Sequence, residues 1–494
     1  MVSEKKITPE RPLDNEEKAL LESVDDNSDK IVELLQKLVR IDSRNYSEFV
    51  WTDRNKIMGF AEETMKMFGF ETQLVKVPFP HADKEGGKNA DHQHHSNLIA
   101  NLGRENPAKL FQFNGHLDTV PFTEENWDIA TPPLGGVVKD GRLYGRGACD
   151  MKSGVVCAMV AMWLLKESRY DIDGDVQLWL TPDEETHGAF GSAYMAEHHF
   201  DLVNADVTII GESSAMDPLD SPAFSVGEKG PQWFELTFYG ASGHGSMPKE
   251  KSNALNKAVR FMSKADRKLK FPKRKAPLSA FTLLKSILSR YRLLDLPKLM
   301  KTTKKPGNPL DEDGLNLRSL FRTTYSFDKI RCGTKVNVIP DKCELEVDFR
   351  ALPGLSTQDL LNSIADYCTK LGYRVEFAGD YLNQQHSNEA IQKRPKDIDL
   401  SIITRGEGSY QDPDTPIGNL LSQSFVSVYQ VAPVHFFSSG FTDMGNMREA
   451  GMKDIYVFGP KGGNVHEANE FVDLTSLQNV TKFYLLSAKR YLCE

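Results

Sequence analysis

The run Leu-Phe-Gln-Phe-Asn-Gly-His-Leu-Asp, residues 110–118, leads from a short apolar segment to a histidine and an aspartate two positions apart. Patterns with helical periodicity separate it from other short apolar runs. The apolar runs lie at residues 98–102, 176–180, 207–210 and 455–458, and the helical patterns at residues 30–39, 56–68 and 153–165. Strands that alternate with helices are typical of a largely parallel sheet covered on both faces. The sequence therefore predicts an α/β fold with a mostly parallel central sheet flanked by helices.

A different pattern begins after about residue 227. Residues 232–239 and 335–349 alternate apolar and polar side chains, as strands do in a sheet with one exposed face. Helical patterns at residues 253–264 and 357–371 accompany them. The strand–helix alternation then returns near residue 415, which indicates a smaller α+β domain inserted into the larger one.

These changes of pattern predict three segments. The predicted segments are a catalytic part at residues 26–227, a lid or dimerisation domain at residues 228–395 and a second catalytic part at residues 396–494. The lid contains a stretch rich in lysine and arginine, at about residues 264–320, which includes an amphipathic pattern at residues 280–300. We expect this basic insertion to pack on the lid and narrow the entrance to the active site. Contact with an anionic membrane or a partner helix is the alternative.

The composition excludes several classes of protein. The chain has 494 residues, with 40% apolar and 26% charged side chains, and its formal charge of −9 disfavours nucleic acid as the main partner. No apolar run approaches the ~20 residues of a membrane span, and the charged residues 1–26 lack the apolar stretch of a secretory signal. The six cysteines show neither metal-finger spacing nor disulfide-rich density. We interpret them as free thiols and predict a cytoplasmic protein.

Acidic residues and histidines fall in five clusters beside predicted strands and helices. The clusters are Asn-Gly-His-Leu-Asp (114–118), Gly-Ala-Cys-Asp-Met-Lys (147–152), Thr-Pro-Asp-Glu-Glu (181–185), Gly-Glu-Ser (211–213) and Gly-Asn-Val-His (463–466). A single acid at a strand end is more often a cap or a solvated turn residue. In an open parallel sheet, however, ligands bind beyond the carboxyl ends of the strands, and five clusters placed there converge on one crevice.

The chemistry of these clusters suits two zinc ions. Imidazole and carboxylate groups are good zinc ligands, and two metal ions about 3.5–4 Å apart need about five ligand groups and a bridging carboxylate. Asp118 lies two residues beyond His116, on the same side of a strand, where it can orient the imidazole. The adjacent Glu184 and Glu185 can divide the work, so that one binds metal while the other transfers protons. We predict two zinc ions per subunit, with cobalt and manganese as alternatives.

These motifs also resemble a known family. The runs Gly-His-Leu-Asp-Thr-Val-Pro (115–121) and Leu-Tyr-Gly-Arg-Gly-Ala-Cys-Asp-Met-Lys-Ser-Gly (143–154) are very similar to those of the aminoacylase, acetylornithine deacetylase, succinyl-diaminopimelate desuccinylase and carboxypeptidase G family. Asp-Glu-Glu (183–185), Gly-Glu-Ser (211–213), Gly-His-Gly-Ser-Met-Pro (243–248) and Val-His-Glu-Ala-Asn-Glu (465–470) match its later motifs in order. The similarity extends from about residue 30 to the C-terminus.

The resemblance implies a role for each residue of the metal site. It implies one metal bound by His116, Asp150 and Glu212, and another by Asp150, Glu185 and His466. Asp150 would thus bridge the two ions. Glu184 is implied as the general base and acid, and Asp118 as the partner of His116.

The resemblance also implies that the lid contributes to the site. His244 matches a histidine that reaches the active site of a neighbouring subunit and stabilises the oxyanion, so we expect a homodimer through the lid domains. Asn337 and Arg350 match lid positions that contact substrate, the arginine through a carboxylate. Gly440 and Thr442 belong to Ser-Gly-Phe-Thr-Asp (439–443), which matches a substrate loop that usually reads Gly-Gly-Thr-Asp.

The sequence departs from this pattern in three places. Phe441 replaces the usual glycine of the substrate loop, which predicts a narrower or more apolar pocket. His187 stands where small residues are common after the glutamate pair, either lining the pocket or lying at the surface. The basic insertion precedes Arg-Thr-Thr (322–324) and resembles those of a carboxypeptidase S-like branch.

Together these features predict an amidohydrolase in which a metal-bridging hydroxide, with Glu184 as general base, attacks a substrate amide. Because Arg350 favours a free carboxylate, the expected substrates are N-acyl amino acids or the C-terminal residue of small peptides. The alternative is a metal-dependent dipeptidase that recognises a free amino group.

Two further classes fit the sequence less well. Gly-Glu-Ser-Ser-Ala (211–215) resembles a relaxed serine-hydrolase elbow, but that mechanism leaves His116, Asp150 and Glu185 unexplained. A non-catalytic homologue would have lost a ligand or Glu184, and all of them are present. The Asp-His-Gln-His-His run (91–95) is interpreted as a solvated loop rather than a second metal site.

Overall fold

Two β-sheets organise the chain, one of nine strands and one of five. The computed structural model describes residues 6–47, 50–51, 54–78, 94–104, 107–213, 215–216, 221–248, 252–274, 285, 322–377, 396–438 and 440–493. In chain order, the strands of the two sheets are β1 (Glu71–Pro78), β2 (His94–Asn101), β3 (Leu110–His116), β4 (Asp175–Thr181), β5 (Val207–Ile210), β6 (Phe224–Glu228), β7 (Gly230–Tyr239), β8 (Thr324–Cys332), β9 (Lys342–Ala351), β10 (Val375–Phe377), β11 (Ile398–Thr404), β12 (Ser409–Tyr410), β13 (His435–Ser438) and β14 (Ile455–Val457).

The helices surround these sheets, and short strand pairs join the loops. The helices are α1 (Asn15–Asp26), α2 (Ser28–Val39), α3 (Arg54–Met67), α4 (Lys152–Glu167), α5 (Ser192–His198), α6 (Phe200–Val203), α7 (Ala254–Lys268), α8 (Thr357–Lys370), α9 (Pro416–Tyr429), α10 (Met444–Glu449) and α11 (Leu474–Cys493). The short strands are Asn45–Ser47 with Val50–Trp51, Ala215–Met216 with Ser221–Pro222, Gly243–His244 with Val338–Ile339, and a four-stranded group of Val137–Lys139, Arg142–Tyr144, Gly462–Gly463 and Phe471–Asp473.

The larger sheet has a parallel centre and antiparallel edges. Its order is β12–β6–β14–β5–β3–β4–β2–β1, with β13 also paired to β6. Strands β14, β5, β3 and β4 are parallel neighbours, whereas β1, β2 and β12 pair antiparallel. The predicted fold class is confirmed, but the sheet is more mixed than expected. Strand β2 pairs with β4 rather than with β3, and only residues 102–109 connect β2 to β3, too few for the helical crossover that would make these two strands parallel.

The core of the larger sheet forms around α4, which is apolar on nearly all sides. Residues 152–162 of α4 are all buried, and α11 packs against α4 and α9. A helix that is hydrophobic all round belongs in the interior of a large domain. Because the loop before α4 is attached to this buried helix, it is held rigidly at the edge of the sheet.

Among the described residues, two helices cover one face of the smaller sheet. Its order is β8–β9–β7–β11–β10, and β9 alternates buried and half-buried residues along its whole length. The buried positions of β7 and β9 pack with α7 and α8 in a core of their own. The predicted alternating strands and helices of residues 228–395 are therefore present, although the amphipathic pattern at 280–300 lies, apart from residue 285, outside the described residues.

The chain crosses between the sheets at two points. Strand β6 of the larger sheet ends at Glu228, and β7 of the smaller sheet begins at Gly230. On the return, β11 still pairs with β7, and β12 pairs with β6. The predicted boundary at residue 396 therefore falls before the last strand of the smaller sheet, and we propose that the return lies at residues 405–408. The other predicted boundaries remain predictions.

The structure also shows the state of the cysteines and the length and polarity of the described helices. Each of the six cysteines is a free thiol. Within the described part of the chain, no helix is long and apolar enough to cross a membrane.

Candidate functional site

The parallel centre of the larger sheet brings the predicted metal ligands to one edge. His116 is the last residue of β3, and Glu212 lies two residues after β5. Glu184 and Glu185 begin a single 3₁₀ turn just beyond β4. Because β3, β4 and β5 are parallel neighbours, their carboxyl ends carry these side chains to the same crevice.

His116 lies at the centre of one group of carboxylates. Its Nε2 atom is 3.1 Å from Asp150 Oδ1, 3.8 Å from Glu184 Oε2 and 4.0 Å from Glu212 Oε1. The imidazole is fully buried. Side chains from three different strand ends and from the loop before α4 therefore lie close together.

His466 approaches the same loop from the other side. Its Nε2 atom is 3.2 Å from Asp150 Oδ2 and 3.1 Å from Glu185 Oε2. Asp150 thus directs one carboxylate oxygen to His116 and the other to His466, as a bridging ligand would. His466 is about half exposed, and its backbone has φ +63°, a left-handed conformation that a non-glycine residue adopts at a cost.

The donor atoms form two groups in which all members lie within 4.8 Å of one another. One group contains His116, Asp150 and Glu185, and the other contains His116, Glu184 and Glu212. These groups contain four of the five predicted ligands, but they divide them differently from the sequence prediction. The assignment of each ligand to a particular metal therefore stays a prediction.

The glutamates of the site repel one another in a buried crevice. Burial, and then repulsion by Glu212, raises the pKa of Glu184 well above its usual range, and Glu212 is raised in the same way by burial and by Asp150. Burial and Asp150 raise the pKa of Glu185 to about 7. Without a counter-charge, these carboxylates could not all be ionised at neutral pH.

Two imidazoles supply part of that counter-charge. Burial acts to lower the pKa of His116, but hydrogen bonds with Asp118 and Asp150 hold it well above its ordinary value. Hydrogen bonds to Asp150 and Glu185 raise the pKa of His466 to about 10. The pKa of Asp150, which burial would raise, is lowered by the two histidines.

The residues present fit two divalent cations. Four carboxylates and two imidazoles converge, and Glu212 Oε1 is buried without a hydrogen-bond partner among the described residues. A buried acceptor of this kind is costly unless a cation or a donor meets it. Oxygen and imidazole nitrogen donors are also those that zinc binds.

Asp118 lies directly behind His116. Its carboxylate is 3.4 Å from His116 Nδ1 and accepts hydrogen bonds from the backbone N–H groups of Glu184 and Glu185. The side-chain amide of Asn45 donates a further bond of 2.9 Å. One buried carboxylate therefore orients both the imidazole and the turn that carries the glutamate pair.

Glu470 is a supporting residue that the sequence prediction missed. It is fully buried, pairs with Arg146 at 2.6 Å and accepts hydrogen bonds from the backbone N–H groups of Gly147, Cys149 and Asp150. It therefore fixes the loop that presents Asp150. Its position at the end of the Val-His-Glu-Ala-Asn-Glu motif was the available signal, but its partners lie some 320 residues away.

The predicted substrate loop packs into the protein at two of its positions. The hydroxyl of Thr442 donates to Glu228 Oε2 at 2.8 Å and is buried, and Asp443 accepts hydrogen bonds from Thr181 and Ser192. Gly440 is exposed. The substrate contacts of Gly440 and Thr442 remain predictions, since the Thr442 side chain faces Glu228 in the structure.

His187 lies in a contact between the two sheets rather than at the surface. Its ring meets Trp233 of β7 edge-on at 4.4 Å and lies 5.9 Å from the ring of Phe441. Burial, and then the charge of Arg350, lowers the pKa of His187. Arg350 itself is paired with Asp348 at 2.9 Å and remains 30% exposed.

The remaining predicted lid residues show no contact with the carboxylate cluster among the described residues. His244 and Asn337 are both exposed and lie on the short strand pair and its preceding turn, where the backbone N–H of Gly245 donates to the Asn337 carbonyl. The His244 ring bonds Ser246 Oγ at 2.7 Å. Within the described ranges, no hydrogen bond or ion pair joins His244 to the metal-site residues.

One minor sequence interpretation was wrong. His95, which had been assigned to a solvated loop, is buried in β2 and stacks on Phe190 at 4.4 Å. Because β2 pairs with β1 on one side, His95 belongs to the sheet and not to a loop. Residues 91–93 lie outside the described residues.

Comparison with known proteins gives the same family as the site. The model of peptidase family M20/M25/M40 matches residues 112–490. A succinyl-diaminopimelate desuccinylase of Roseobacter denitrificans is 27% identical over 394 residues, which cover 78% of this chain and 84% of the relative. Human carnosine dipeptidase 1 has a similar fold, with a TM-score of 0.70 and 16% identity over 98% of this chain and 100% of that one. The M20 family metallo-carboxypeptidase Sso-CP2 of Sulfolobus solfataricus has a TM-score of 0.67 and 16% identity over the same shares. The chain therefore belongs to the peptidase family M20/M25/M40 and is a metal-dependent amidohydrolase or peptidase.

Proposed function

We propose that the protein is a dinuclear zinc hydrolase that cleaves the amide bond of N-acyl amino acids or releases the C-terminal residue of small peptides. The observation that carries this proposal is the position of Asp150, whose two oxygens face two separate imidazoles while three glutamates stand within reach. This arrangement supports a shared carboxylate between two cations. The arrangement does not resemble the site of a serine hydrolase, because the side chains that face His116 are carboxylates.

The proposed ligands follow the sequence prediction. His116, Asp150 and Glu212 would hold one cation, and Asp150, Glu185 and His466 the other. Two bound cations would supply Lewis acidity, which lowers the pKa of water toward neutrality and polarises a carbonyl.

Glu184 is proposed as the general base. Its carboxylate lies beside His116 but is not needed as a metal ligand, so it can accept the proton of the attacking water and return it to the leaving nitrogen. The Asp118 carboxylate holds the backbone N–H of Glu184 at 3.1 Å, which fixes the turn that aims the base. His244, supplied by a second subunit, would donate to the oxyanion.

Arg350 is proposed as the anchor for the substrate carboxylate. It lies on β9, near enough to His187 to lower the pKa of that residue, and His187 follows the glutamate pair by two positions. Asp348 pairs with both Nε and Nη2 of Arg350, so the guanidinium is oriented while part of it stays exposed. A planar guanidinium is well suited to hold a carboxylate by two hydrogen bonds. We also propose a cytoplasmic homodimer through the lid.

The test is a substrate comparison with defined metal content. The protein would be loaded with zinc or with cobalt and assayed against N-acyl amino acids and unblocked dipeptides, with a chelator-treated sample as control. We expect metal-dependent cleavage of the acylated panel, and an Arg350→Ala variant should raise KM about tenfold or more with a smaller effect on kcat.

Other results would change the proposal in defined ways. Cleavage confined to unblocked dipeptides would replace the acyl substrate with a dipeptide. Full activity in the chelated, metal-free protein would contradict the metal mechanism itself.

A further inference from the structure

Two cysteines face each other across neighbouring strands of the smaller sheet. Cys332 is the last residue of β8, Cys343 follows the first residue of β9, and the antiparallel pairing sets one directly opposite the other. Directly opposite residues of an antiparallel pair have Cα atoms about 4.5–5.5 Å apart, and disulfides join Cα atoms about 4.4–6.8 Å apart. The two backbones therefore already lie within the span of a disulfide, although both residues are free thiols.

Both side chains lie on the face of the sheet that the helices cover. Cys343 is fully buried in the core that this sheet shares with α7 and α8, and Cys332 packs against the same core. Burial, and then a hydrogen bond with the Cys332 thiol, raises the pKa of the Cys343 thiol to about 12. The two sulfur atoms are therefore directed toward each other.

The two thiols differ in their access to solvent. Cys332 is half-buried at the end of its strand, where its thiol donates to the backbone carbonyl oxygen of Lys342 at 3.4 Å. A small oxidant can reach Cys332, whereas the buried Cys343 can react only with a group that Cys332 already carries. Redox-sensing pairs combine an accessible thiol with a resolving thiol beside it in this way.

The cysteine pair stands at the base of a connection that carries a proposed substrate contact. Residues 333–341 join β8 to β9 and include Asn337. Val338–Ile339 of this connection pairs with Gly243–His244, the strand that carries the proposed oxyanion donor. A displacement at the base of the connection therefore reaches both lid residues that are proposed to act on the substrate.

A disulfide would draw the ends of the two strands together. Directly opposite Cβ atoms lie about 4.5–5.5 Å apart in an antiparallel pair, whereas a disulfide holds them about 3.8 Å apart. The ends of β8 and β9 would move by about 1 Å, and a catalytic group misplaced by about 1 Å can lose much of its effect on the rate.

We propose that Cys332 and Cys343 form a reversible disulfide that lowers turnover by displacing the connection between β8 and β9. The effect on turnover rests on the proposed function, because it acts through His244 and Asn337. Formation of the disulfide does not depend on that function. In the cytoplasmic setting proposed above, disulfides are usually transient and serve catalysis or redox sensing.

The oxidant is a low-molecular-weight disulfide. The thiolate of Cys332 attacks one of its sulfur atoms, so that a mixed disulfide forms and one thiolate leaves. The thiolate of Cys343 then attacks the Cys332 sulfur, the bond between the two cysteines forms, and the second thiolate leaves. The protein loses two electrons and two protons, and the oxidant accepts them as two free thiols. Because the pKa of Cys343 is high, we expect the second step to be the slower one.

The experiment incubates the zinc-loaded full-length protein with mixtures of oxidised and reduced glutathione near neutral pH. Disulfides are identified by peptide mass mapping, and turnover of N-acetyl-phenylalanine and zinc content are measured on the same samples. We expect a Cys332–Cys343 linkage that lowers kcat about tenfold, leaves the zinc content unchanged and is reversed by a phosphine reductant.

Three variants serve as controls. Cys332→Ser and Cys343→Ala should show neither the linkage nor the loss of kcat. Cys493→Ser removes an exposed thiol elsewhere and should behave as wild type. If Cys343→Ala does not fold, Cys332→Ser tests the inference by itself, since it changes the half-buried position.

The outcomes separate the thiol pair from the proposed function. Absence of the linkage at every ratio of the two forms of glutathione, or a linkage that leaves kcat unchanged, would overturn the inference while the proposed function stands. An equal loss of kcat in oxidised Cys332→Ser would assign the effect to another thiol and overturn it too. If only unblocked dipeptides are cleaved, the proposed function fails, and the mass map together with turnover of a dipeptide still decides the inference.

Discussion

The predicted site residues at the edge of the larger sheet and those of the predicted lid differ in how firmly the fold holds them. Those at the edge of the larger sheet are mostly buried and lie within 4.0 Å of a neighbour, as His116 and Glu212 do. In the predicted lid, His244 and Asn337 are exposed, and the two-stranded pair that carries His244 is separate from the smaller sheet. An isolated strand pair has little stability of its own.

The difference has a physical origin. Side chains at the ends of hydrogen-bonded parallel strands are spaced by the sheet itself, and a buried helix, α4, fixes the loop of Asp150. If the exposed lid residues take part as proposed, a second subunit or the substrate would have to bring them to the reaction. We infer that the larger sheet carries metal binding and proton transfer, while the smaller sheet completes substrate and oxyanion binding.

The largest effect is expected from Glu184→Gln. If Glu184 transfers protons without binding metal, the variant should keep both cations and lose about 10³-fold or more in kcat. Metal content measured beside turnover tests this directly. A loss of one cation would instead make Glu184 a ligand, as its grouping with His116 and Glu212 allows.

A smaller but more diagnostic effect is expected at His244. His244→Ala should lower kcat about 10²-fold with unchanged metal content, because one oxyanion donor is removed. If His244 acts in the neighbouring subunit, mixing this variant with Glu184→Gln should restore activity. Random exchange gives about a quarter of the wild-type rate per subunit, since half of the dimers are mixed and each has one complete site.

The mixed-subunit result separates two arrangements. No recovery, with exchange of subunits verified, would mean that His244 serves its own subunit or plays no part. His198→Ala, which removes another exposed histidine from the larger domain, should leave activity unchanged.

The variant Glu470→Gln tests whether the metal site at the edge of the larger sheet depends on the hydrogen bonds by which Glu470 fixes the Asp150 loop. Loss of the charge that holds Arg146 and three backbone N–H groups should weaken zinc affinity about 10–100-fold, measured by competition with a chelator. Glu467→Gln is the matched control, because that exposed residue contributes only its backbone carbonyl to Arg146. Equal affinities in the two variants would show that Glu470 is not needed to position Asp150.

Sequence reasoning can propose the residues that stand beside a readable local pattern. His116, Asp150, the glutamate pair and Glu212 each stand beside an element whose periodicity is readable, and parallel neighbours necessarily converge. Glu470 was missed because its importance lies in backbone partners more than 300 residues away. The antiparallel edges were missed because connection length, not side-chain pattern, sets the direction of β2.

The position of a residue in a motif was not enough to assign its contacts in some cases. The motif places Thr442 in a substrate loop, yet its hydroxyl is bound by Glu228, a residue with no motif of its own. Some residues of this loop are exposed while others pack into the protein. This becomes clear only when the packing between β6 and residues 440–443 is known. His187 was left open between pocket and surface; the structure shows its contact with Trp233, and a role in the pocket stays a prediction.

The smallest effect concerns stability, at the point where the two sheets meet. Burial raises the pKa of Glu228 from an ordinary 4.5 to about 8, although Thr442 donates to it. The folded state then holds more protons than the unfolded state between those pH values, so this residue should destabilise the fold progressively as pH rises from about 5 to 8. Glu228→Gln removes that dependence, and its Tm relative to wild type should rise across this range by roughly 5 °C. Glu235→Gln, on the half-exposed face of β7, should leave the pH dependence unchanged. If Glu228→Gln keeps the wild-type dependence of Tm on pH, Glu228 is ionised in the folded protein. A cation must then compensate its charge, and Arg448 is the candidate.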